Sequence, residues 1–140
     1  MARSMNSTSS NISRSLVRHQ HHYLHYRIDE LNSAIQSQIS HEHLIGIVRE
    51  LQEYMELHWQ AEVNMMNAVR YPKSKLDCHR ADHSVAMLNL SELVSDVSTN
   101  NSPPKKISEF IIEWTHLHES TEDRDLSLFM NNYLDSNKLF

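Results

Sequence analysis

Glycine and proline are scarce in this chain, which has one glycine and three prolines among its 140 residues. A typical globular domain contains about 7% glycine, and glycine and proline form most of the tight turns that join strands. The shortage excludes a fold rich in β-hairpins, so the chain is predicted to be all-α. A chain of this length can bury one modest hydrophobic core, and we therefore expect a single domain.

Long apolar runs, paired cysteines and a basic surface are also missing. No apolar run approaches the roughly 18 residues of a membrane span, and the polar beginning MARSMNSTSSNISRSL lacks the apolar segment of a signal peptide. Cys78 is the one cysteine, which excludes an internal disulfide and fits a reducing compartment. A net charge of -5 without a basic stripe argues against nucleic acid. We expect a cytoplasmic monomer that binds neither membrane nor nucleic acid.

Apolar residues recur at three- and four-residue steps, which is the period of an α-helix, in four long segments and one short one. Short polar links join the segments, so the sequence predicts an antiparallel up-down four-helix bundle with a short additional C-terminal helix. Residues 1–10 are predicted to be a flexible polar arm, and residues 11–140 the bundle domain. The five patterns run from Asn11 to Ser37, from Leu44 to Val69, from Leu76 to Val97, from Ile107 to His118 and from Leu126 to Leu134.

Two helix starts carry recognisable cap residues. Ser40 precedes the second pattern and is predicted to be its N-cap, since a serine oxygen can accept a hydrogen bond from the first turn. Ser102 and Pro103 precede the fourth pattern and are predicted to be an N-cap and a first-turn proline.

Histidine is the residue in excess, with 11 copies. Burying one unpaired polar group costs roughly 2 to 7 kcal/mol, so several together would exceed the roughly 5 to 15 kcal/mol stability of a small domain. Imidazole and carboxylate together suit iron, manganese or zinc, and the lack of a cysteine cluster argues against a thiolate site. Five histidines and one glutamate fall in step with the apolar stripes of the four long helices: His21, His58, Glu62, His79, His83 and His118.

Two pairs in this set are spaced i, i+4, which stacks two side chains on one face of a helix. They are His58 with Glu62, and His79 with His83. A single histidine on an apolar stripe is more often a hydrogen-bonded core residue than a ligand, but the combination on four helices favours a metal centre. The other histidines lie off the stripes and receive no role, and these include His19, His22, His41, His43 and His116.

Four stretches resemble the ligand blocks of the hemerythrins, in chain order and with near-standard spacing. They are QHHYLHYRIDELNSAI, YMELHWQAEVNMM followed by YP, HRADH, and WTHLHESTED, and they span about residues 16 to 130. The resemblance implies an up-down bundle with two iron ions joined by an oxo or hydroxo bridge. In the implied ligand set, His79, His83 and His118 bind one iron, His21 and His58 bind the other, and Glu62 and Asp123 bridge both.

The resemblance leaves one position open on the iron with two histidines, and it implies that dioxygen binds there reversibly, for storage, delivery or sensing. The implied dioxygen pocket consists of Leu24, Trp59, Trp114, Thr115 and Glu119.

The sequence departs from the family at several pocket positions. Thr115 and Glu119 stand where leucine and isoleucine are common, and Trp59 and His25 stand where phenylalanine is usual. A polar pocket favours proton delivery and the loss of bound dioxygen as peroxide. A second hypothesis is therefore a di-iron oxidase, peroxidase or peroxide-scavenging enzyme at the same centre.

Two other interpretations concern single residues or pairs. A di-iron oxidase of the ferritin type needs two Glu-x-x-His pairs, and the sequence has only Glu113 with His116. Glu119 is either a solvated surface residue or a side chain that reaches the open iron position.

The spacing of His118 and Asp123 makes a structural prediction. Five residues on a regular α-helix turn through about 500°, which points the two side chains about 140° apart. If both are ligands, the helix must loosen near Glu119 to Thr121, and we expect Ser120 or Thr121 to cap a new helix there.

Overall fold

The computed structural model describes the backbone of residues 2–138 and the side chains of residues 18–133. All regular structure in this part of the chain is helical, and the predicted all-α class is confirmed. The helices are α1 (Ala2–Gln36), α2 (His41–Ala68), α3 (Lys73–Ser98), α4 (Lys105–His118) and α5 (Arg124–Lys138), and a π-helical turn (Glu119–Asp123) joins α4 to α5.

The four long helices close into a ring of contacts. Helix α1 packs against α2 and α4, and α3 packs against the same two helices. The links between consecutive helices have four to six residues, so neighbours in the chain run antiparallel, as in an up-down bundle. Helix α5 continues from the π-helical turn and packs against α1, as the additional C-terminal helix of the bundle.

The two predicted helix starts had different outcomes. Oγ of Ser40 accepts a hydrogen bond from the amide of His43 at 3.2 Å, which confirms the predicted N-cap of α2. The prediction for the fourth helix was wrong, because α4 begins at Lys105 after Pro104, without a side-chain cap. A residue before proline is disfavoured from the helical region, so Pro103 lies outside the helix.

Helix α1 begins earlier than the apolar period indicates. The pattern predicts a start near Asn11, whereas the helix runs from Ala2. The residues between them are mostly polar and carry no apolar stripe from which a helix could be recognised. The side chains of Val17 and Leu134, which the sequence placed on apolar stripes, lie outside the described residues. The division into an arm and a bundle domain stays a prediction.

The low glycine content is visible where helices end. Gln38, Arg70 and Asn100 follow α1, α2 and α3 with positive φ angles of 56°, 55° and 60°. Glycine usually takes this left-handed conformation after a helix, because it costs other residues roughly 1 to 2 kcal/mol. Backbone hydrogen bonds close these helix ends, since the amides of Gln38, Arg70 and Asn100 each donate to the carbonyl oxygen three residues earlier.

Two apolar clusters fill the bundle. The large cluster contains 13 buried residues and extends from Leu24 on α1 to Ile111 on α4. The small cluster contains seven buried residues and joins Met65 and Met66 of α2 to Leu126 and Met130 of α5. Each buried side chain of this size contributes roughly 1.5 to 3 kcal/mol, so the clusters hold the helices on both sides of a polar layer.

Along α2, that polar layer lies between Trp59 of the large cluster and Met65 of the small one. Glu62 occupies it with 2% of its surface exposed, and His58 precedes it by one helical turn with the same exposure. None of the described helices is both long enough and apolar enough to span a membrane.

Candidate metal centre

Four buried side chains meet in the polar layer. One ligand atom from each of Glu62, His79, His83 and His118 lies within 4.8 Å of the others. Three helices supply them: α2 carries the glutamate, α3 carries His79 and His83 one turn apart, and α4 ends at His118. We call this group, with Asp123 beside it, the first position.

The spacing of the donor atoms is that of ligands around an ion. Nε2 of His83 lies 3.1 Å from Nε2 of His118, and Nε2 of His79 lies 3.0 Å from Oε2 of Glu62. When two donor atoms each lie about 2.1 Å from one cation and the angle between them at the cation is a right angle, they are about 3 Å apart. Two imidazole nitrogens that face each other at this distance can share one proton or bind one cation between them.

The π-helical turn brings Asp123 to this group. Oδ1 of Asp123 lies 3.1 Å from Nε2 of His118, five residues earlier in the chain. The i to i+5 hydrogen bonds of a π-helix make a wider turn, which returns the fifth residue to the same side of the helix. The predicted loosening is thus found at Glu119–Asp123.

The predicted cap in this segment was wrong. The hydroxyls of Ser120 and Thr121 both donate to the carbonyl oxygen of Leu117, at 3.0 and 2.8 Å. Because the backbone stays helical through the turn, no new helix start is formed, and no free amide awaits a cap.

A cavity of about 450 Å³ adjoins the first position. His21, His58, Glu62 and Asp123 line it, together with the apolar side chains Met65, Leu126 and Met130. We call His21 and His58, with Glu62 and Asp123 in the lining of the same cavity, the second position. The rings of these two histidines stack with centroids 5.8 Å apart, and one of them is on α1 and the other on α2.

Glu62 lies between the two positions. Its Oε1 is 3.1 Å from Nε2 of His58, and its Oε2 is 3.0 Å from Nε2 of His79. Each carboxylate oxygen therefore faces an imidazole of a different position, as a bridging carboxylate does.

Several buried polar atoms of the site have no hydrogen bond. They include Nε2 of His21, Oε1 of Glu62 and Oδ1 of Asp123, although each has a charged or polar neighbour within 3.1 Å. Close approach without hydrogen-bond alignment is costly in a protein interior, where polar groups are nearly always paired. Cations in the two positions would satisfy these atoms, so the side chains fit a metal centre.

The outer ring nitrogens of three histidines have polar neighbours of their own. Nδ1 of His118 donates to Oδ2 of Asp82 at 2.7 Å, and Oε1 of Gln20 lies 3.4 Å from Nδ1 of His58. Oε2 of Glu122 lies 3.4 Å from Nδ1 of His79. The contact with Asp82 fixes the orientation of the His118 imidazole and leaves its other nitrogen for a metal, whereas Nδ1 of His79 forms no hydrogen bond with Glu122.

Sequence reasoning did not find these three partners. Asp82 gave the only usable signal, since it lies between the two histidines of HRADH on the same turn of α3. Gln20 and Glu122 look like ordinary polar residues in the sequence.

The pKa values of the buried groups follow from their surroundings. Burial lowers the pKa of His83 to about 3, so its imidazole is neutral. Burial also acts to lower the pKa of His118, but the adjacent carboxylates of Asp123, Glu62 and Asp82 outweigh it and raise the pKa to about 9. Burial acts to raise the pKa of Glu62, yet His58 and His79 hold it well below its usual range. Metal binding at the first position would therefore release a proton from His118.

Glu119 lies next to the second position. Its Oε1 is 2.6 Å from Nε2 of His21 and 2.5 Å from Nε2 of His25. These three residues form a second group whose ligand atoms lie within 4.8 Å of one another. Glu119 also lines the cavity, with 24% of its side chain exposed.

The other predicted pocket residues lie elsewhere around the site. Trp59 stacks on His83 with ring centroids 4.3 Å apart, and Trp114 stacks on His118 at 4.5 Å. Leu24 belongs to the large cluster, and Thr115 is buried with an unpaired hydroxyl. Of the five, Glu119 is the one that lines the cavity of the second position, and the role of all five in dioxygen binding stays a prediction.

Residues without an assigned role lie at the surface. Glu113 and His116, the single Glu-x-x-His pair, are both exposed, so this pair adds nothing to a ferritin-type site. Cys78 is exposed as well.

Comparison with family models matched residues 13–127 to the model described as "Hemerythrin HHE cation binding domain". The matched segment includes every residue of the two positions. Comparisons with curated proteins and with solved structures found no match.

Proposed function

Because the chain belongs to the hemerythrin family of HHE cation-binding domains, we propose that its bundle holds two iron ions and binds dioxygen reversibly at the second position. The observation that carries the proposal is the convergence of imidazole nitrogens and carboxylate oxygens at spacings of about 3 Å in a buried layer. Iron supplies a redox centre to which dioxygen can bind. Storage, delivery and sensing all begin with this binding step.

The two positions have separate tasks in this proposal. His79, His83 and His118 hold the first ion, and Trp59 and Trp114 stack on the rings of His83 and His118. The low pKa of His83 supports a ligand role, because a neutral imidazole is the form that binds metal.

His21 and His58 hold the second ion beside the cavity. Met65, Leu126 and Met130 form the apolar part of that cavity, and the exposed residues Arg18, Arg124 and Ser127 line its outer part, so a small molecule can enter from solvent. In this proposal Glu62 and Asp123 bridge the two ions, because Glu62 contacts histidines of both positions and Asp123 contacts His118 and lines the cavity beside the second position.

A second candidate function uses the same centre. Glu119 places a carboxylate in the cavity, and His25 beside it is exposed over about half of its side chain. Polar groups of this kind can deliver protons, and protonation promotes the loss of bound dioxygen as peroxide. An oxidase or peroxide-scavenging enzyme is therefore the alternative that this observation favours.

Optical absorption under controlled oxygen distinguishes the two functions. The iron-loaded protein is reduced without oxygen, exposed to air and then returned to an oxygen-free atmosphere. Reversible binding predicts an absorption band that appears and disappears over several cycles, with no such band in the metal-free protein. Irreversible oxidation with production of hydrogen peroxide would contradict the carrier function and support the enzyme.

A further inference from the structure

Glu119 and His25 form a polar pair beside the second position, and neither residue belongs to the two positions. His21 and His25 are one helical turn apart on α1, and their rings meet edge to face with centroids 4.8 Å apart. Oε1 of Glu119 lies within 2.6 Å of Nε2 of His21 and at 2.5 Å from Nε2 of His25. The carboxylate is thus held between two imidazoles, of which His21 belongs to the second position.

The contact between Glu119 and His21 is short but poorly aligned for a hydrogen bond. Nε2 of His21 is buried and has no hydrogen-bond partner, although Oε1 of Glu119 is 2.6 Å away. The two atoms therefore lie side by side at the cavity that His58, Glu62 and Asp123 also line. Neighbouring ligands of one cation have this arrangement, because each directs a lone pair at the ion and not at the other ligand.

The backbone accounts for the position of Glu119. It is the first residue of the π-helical turn, directly after His118. The wide turn keeps this part of the helix against the site, and the side chain of Glu119 is only 24% exposed. Its carboxylate faces the cavity between the imidazoles of His21 and His25.

We propose that Glu119 is a ligand of the second metal ion and that His25 is a positioning residue that holds its carboxylate in place. This inference rests on the proposed function, since it concerns the same ion. Nε2 of His25 donates a hydrogen bond to Oε1 of Glu119, and a carboxylate oxygen has a further lone pair with which to bind an ion. An external ligand then reaches the second ion only by displacing Glu119.

Azide binding to the oxidised, iron-loaded protein tests this assignment. Azide is a small anion that binds an open position on ferric iron and adds an absorption band, so its affinity reports whether the position is free. The variants are Glu119→Ile and His25→Phe, and Glu113→Ile is the matched control, since Glu113 is an exposed glutamate of the preceding helix α4. Iron content and circular dichroism are measured for each protein.

Glu119→Ile should bind azide at least about tenfold more tightly than the wild type, because the competing carboxylate is gone. His25→Phe should tighten binding by about two- to fivefold, since Glu119 remains but is less well held. Glu113→Ile should match the wild type. Equal azide affinity in the wild type and Glu119→Ile, with equal iron content, would overturn the proposal. If Glu119→Ile does not fold, Glu119→Gln is used in its place, because it keeps the shape and removes the charge.

Oxygen cycling of the same variants separates this inference from the proposed function. A tighter azide complex in Glu119→Ile without a reversible dioxygen band in any protein supports the ligand role and contradicts the carrier function. A reversible band in all proteins with equal azide affinities supports the carrier function and contradicts the ligand role.

Discussion

The two proposed metal positions differ in the exposure of one histidine, His21, since His58 of the second position is as buried as the histidines of the first. The imidazoles of His79, His83 and His118 are each at most 5% exposed, whereas the side chain of His21 is 31% exposed and borders a cavity of about 450 Å³. Structural metal sites are closed and reactive ones keep a position for an external molecule. Under the proposed function, this comparison favours stable ion binding at the first position and ligand exchange at the second.

The surroundings of the histidines follow the same division. At the first position, tryptophans stack on His83 and His118, and Asp82 fixes the ring of His118 at 2.7 Å. At the second, the near neighbours of His21 are His25 and Glu119, both of which are partly exposed. The rigid first position and the accessible second position thus adjoin at the carboxylates of Glu62 and Asp123.

Removing the charge of Glu62 should have the largest effect, because this residue faces both positions. Glu62→Gln should retain less than about half an iron ion per chain after dialysis, since each position loses an anionic ligand. Iron analysis of the dialysed protein measures this. Glu56→Gln, an exposed glutamate of the same helix, should keep the wild-type content. Full iron content in Glu62→Gln would show that the carboxylate is not shared.

Removing one histidine from each position should separate the two ions. We expect both His118→Ala and His21→Ala to retain about one iron per chain, because each change leaves the other position's imidazoles in place. The remaining ion should exchange with added chelator more slowly in His21→Ala, where the buried position is intact. Loss of all iron from His21→Ala would mean that the positions do not bind independently.

The pattern of the sequence allowed much of this centre to be predicted. Stripe positions and i, i+4 pairs depend on helical geometry alone, so the apolar period was enough to place His58 with Glu62 and His79 with His83 on inward faces. The fold brings all of these to the polar layer, together with His21, His118 and Asp123. Their roles as ligands remain predictions that metal analysis must test.

Contacts between distant parts of the chain could not be predicted. His25 meets Glu119 across 94 residues, and His118 meets Asp82 across 36. The periodicity of apolar residues along a helix does not indicate which polar side chains of two helices will contact each other. The π-helical turn shows an intermediate case, because the spacing of His118 and Asp123 required a distortion but did not specify its form.

Asp82 offers a smaller test of the first position. Asp82→Asn should weaken iron binding there by about 10- to 100-fold, because the ring of His118 loses its charged hydrogen-bond acceptor. Competition with a chelator of known affinity measures the change. Asp77→Asn, an exposed residue of the same helix, serves as the control and should bind as the wild type does. An unchanged iron affinity in Asp82→Asn would show that this carboxylate does not support metal binding at the first position.

Thr115 should give the smallest effect. Its hydroxyl is buried without a hydrogen bond, so Thr115→Val removes an unpaired polar atom and should raise the free energy of unfolding by up to about 1 kcal/mol. Chemical denaturation of the iron-loaded protein measures this, with iron content expected to stay constant. Destabilisation accompanied by iron loss would instead indicate that the hydroxyl contacts the metal centre.

The difference between the two positions is tested most directly by titrating the metal-free wild-type protein with Fe²⁺ without oxygen. Calorimetry measures the heat of binding during the titration. The closed and the open position should bind in two steps of unequal affinity, with saturation at about two ions per chain. A single step that saturates at one ion per chain would contradict the account.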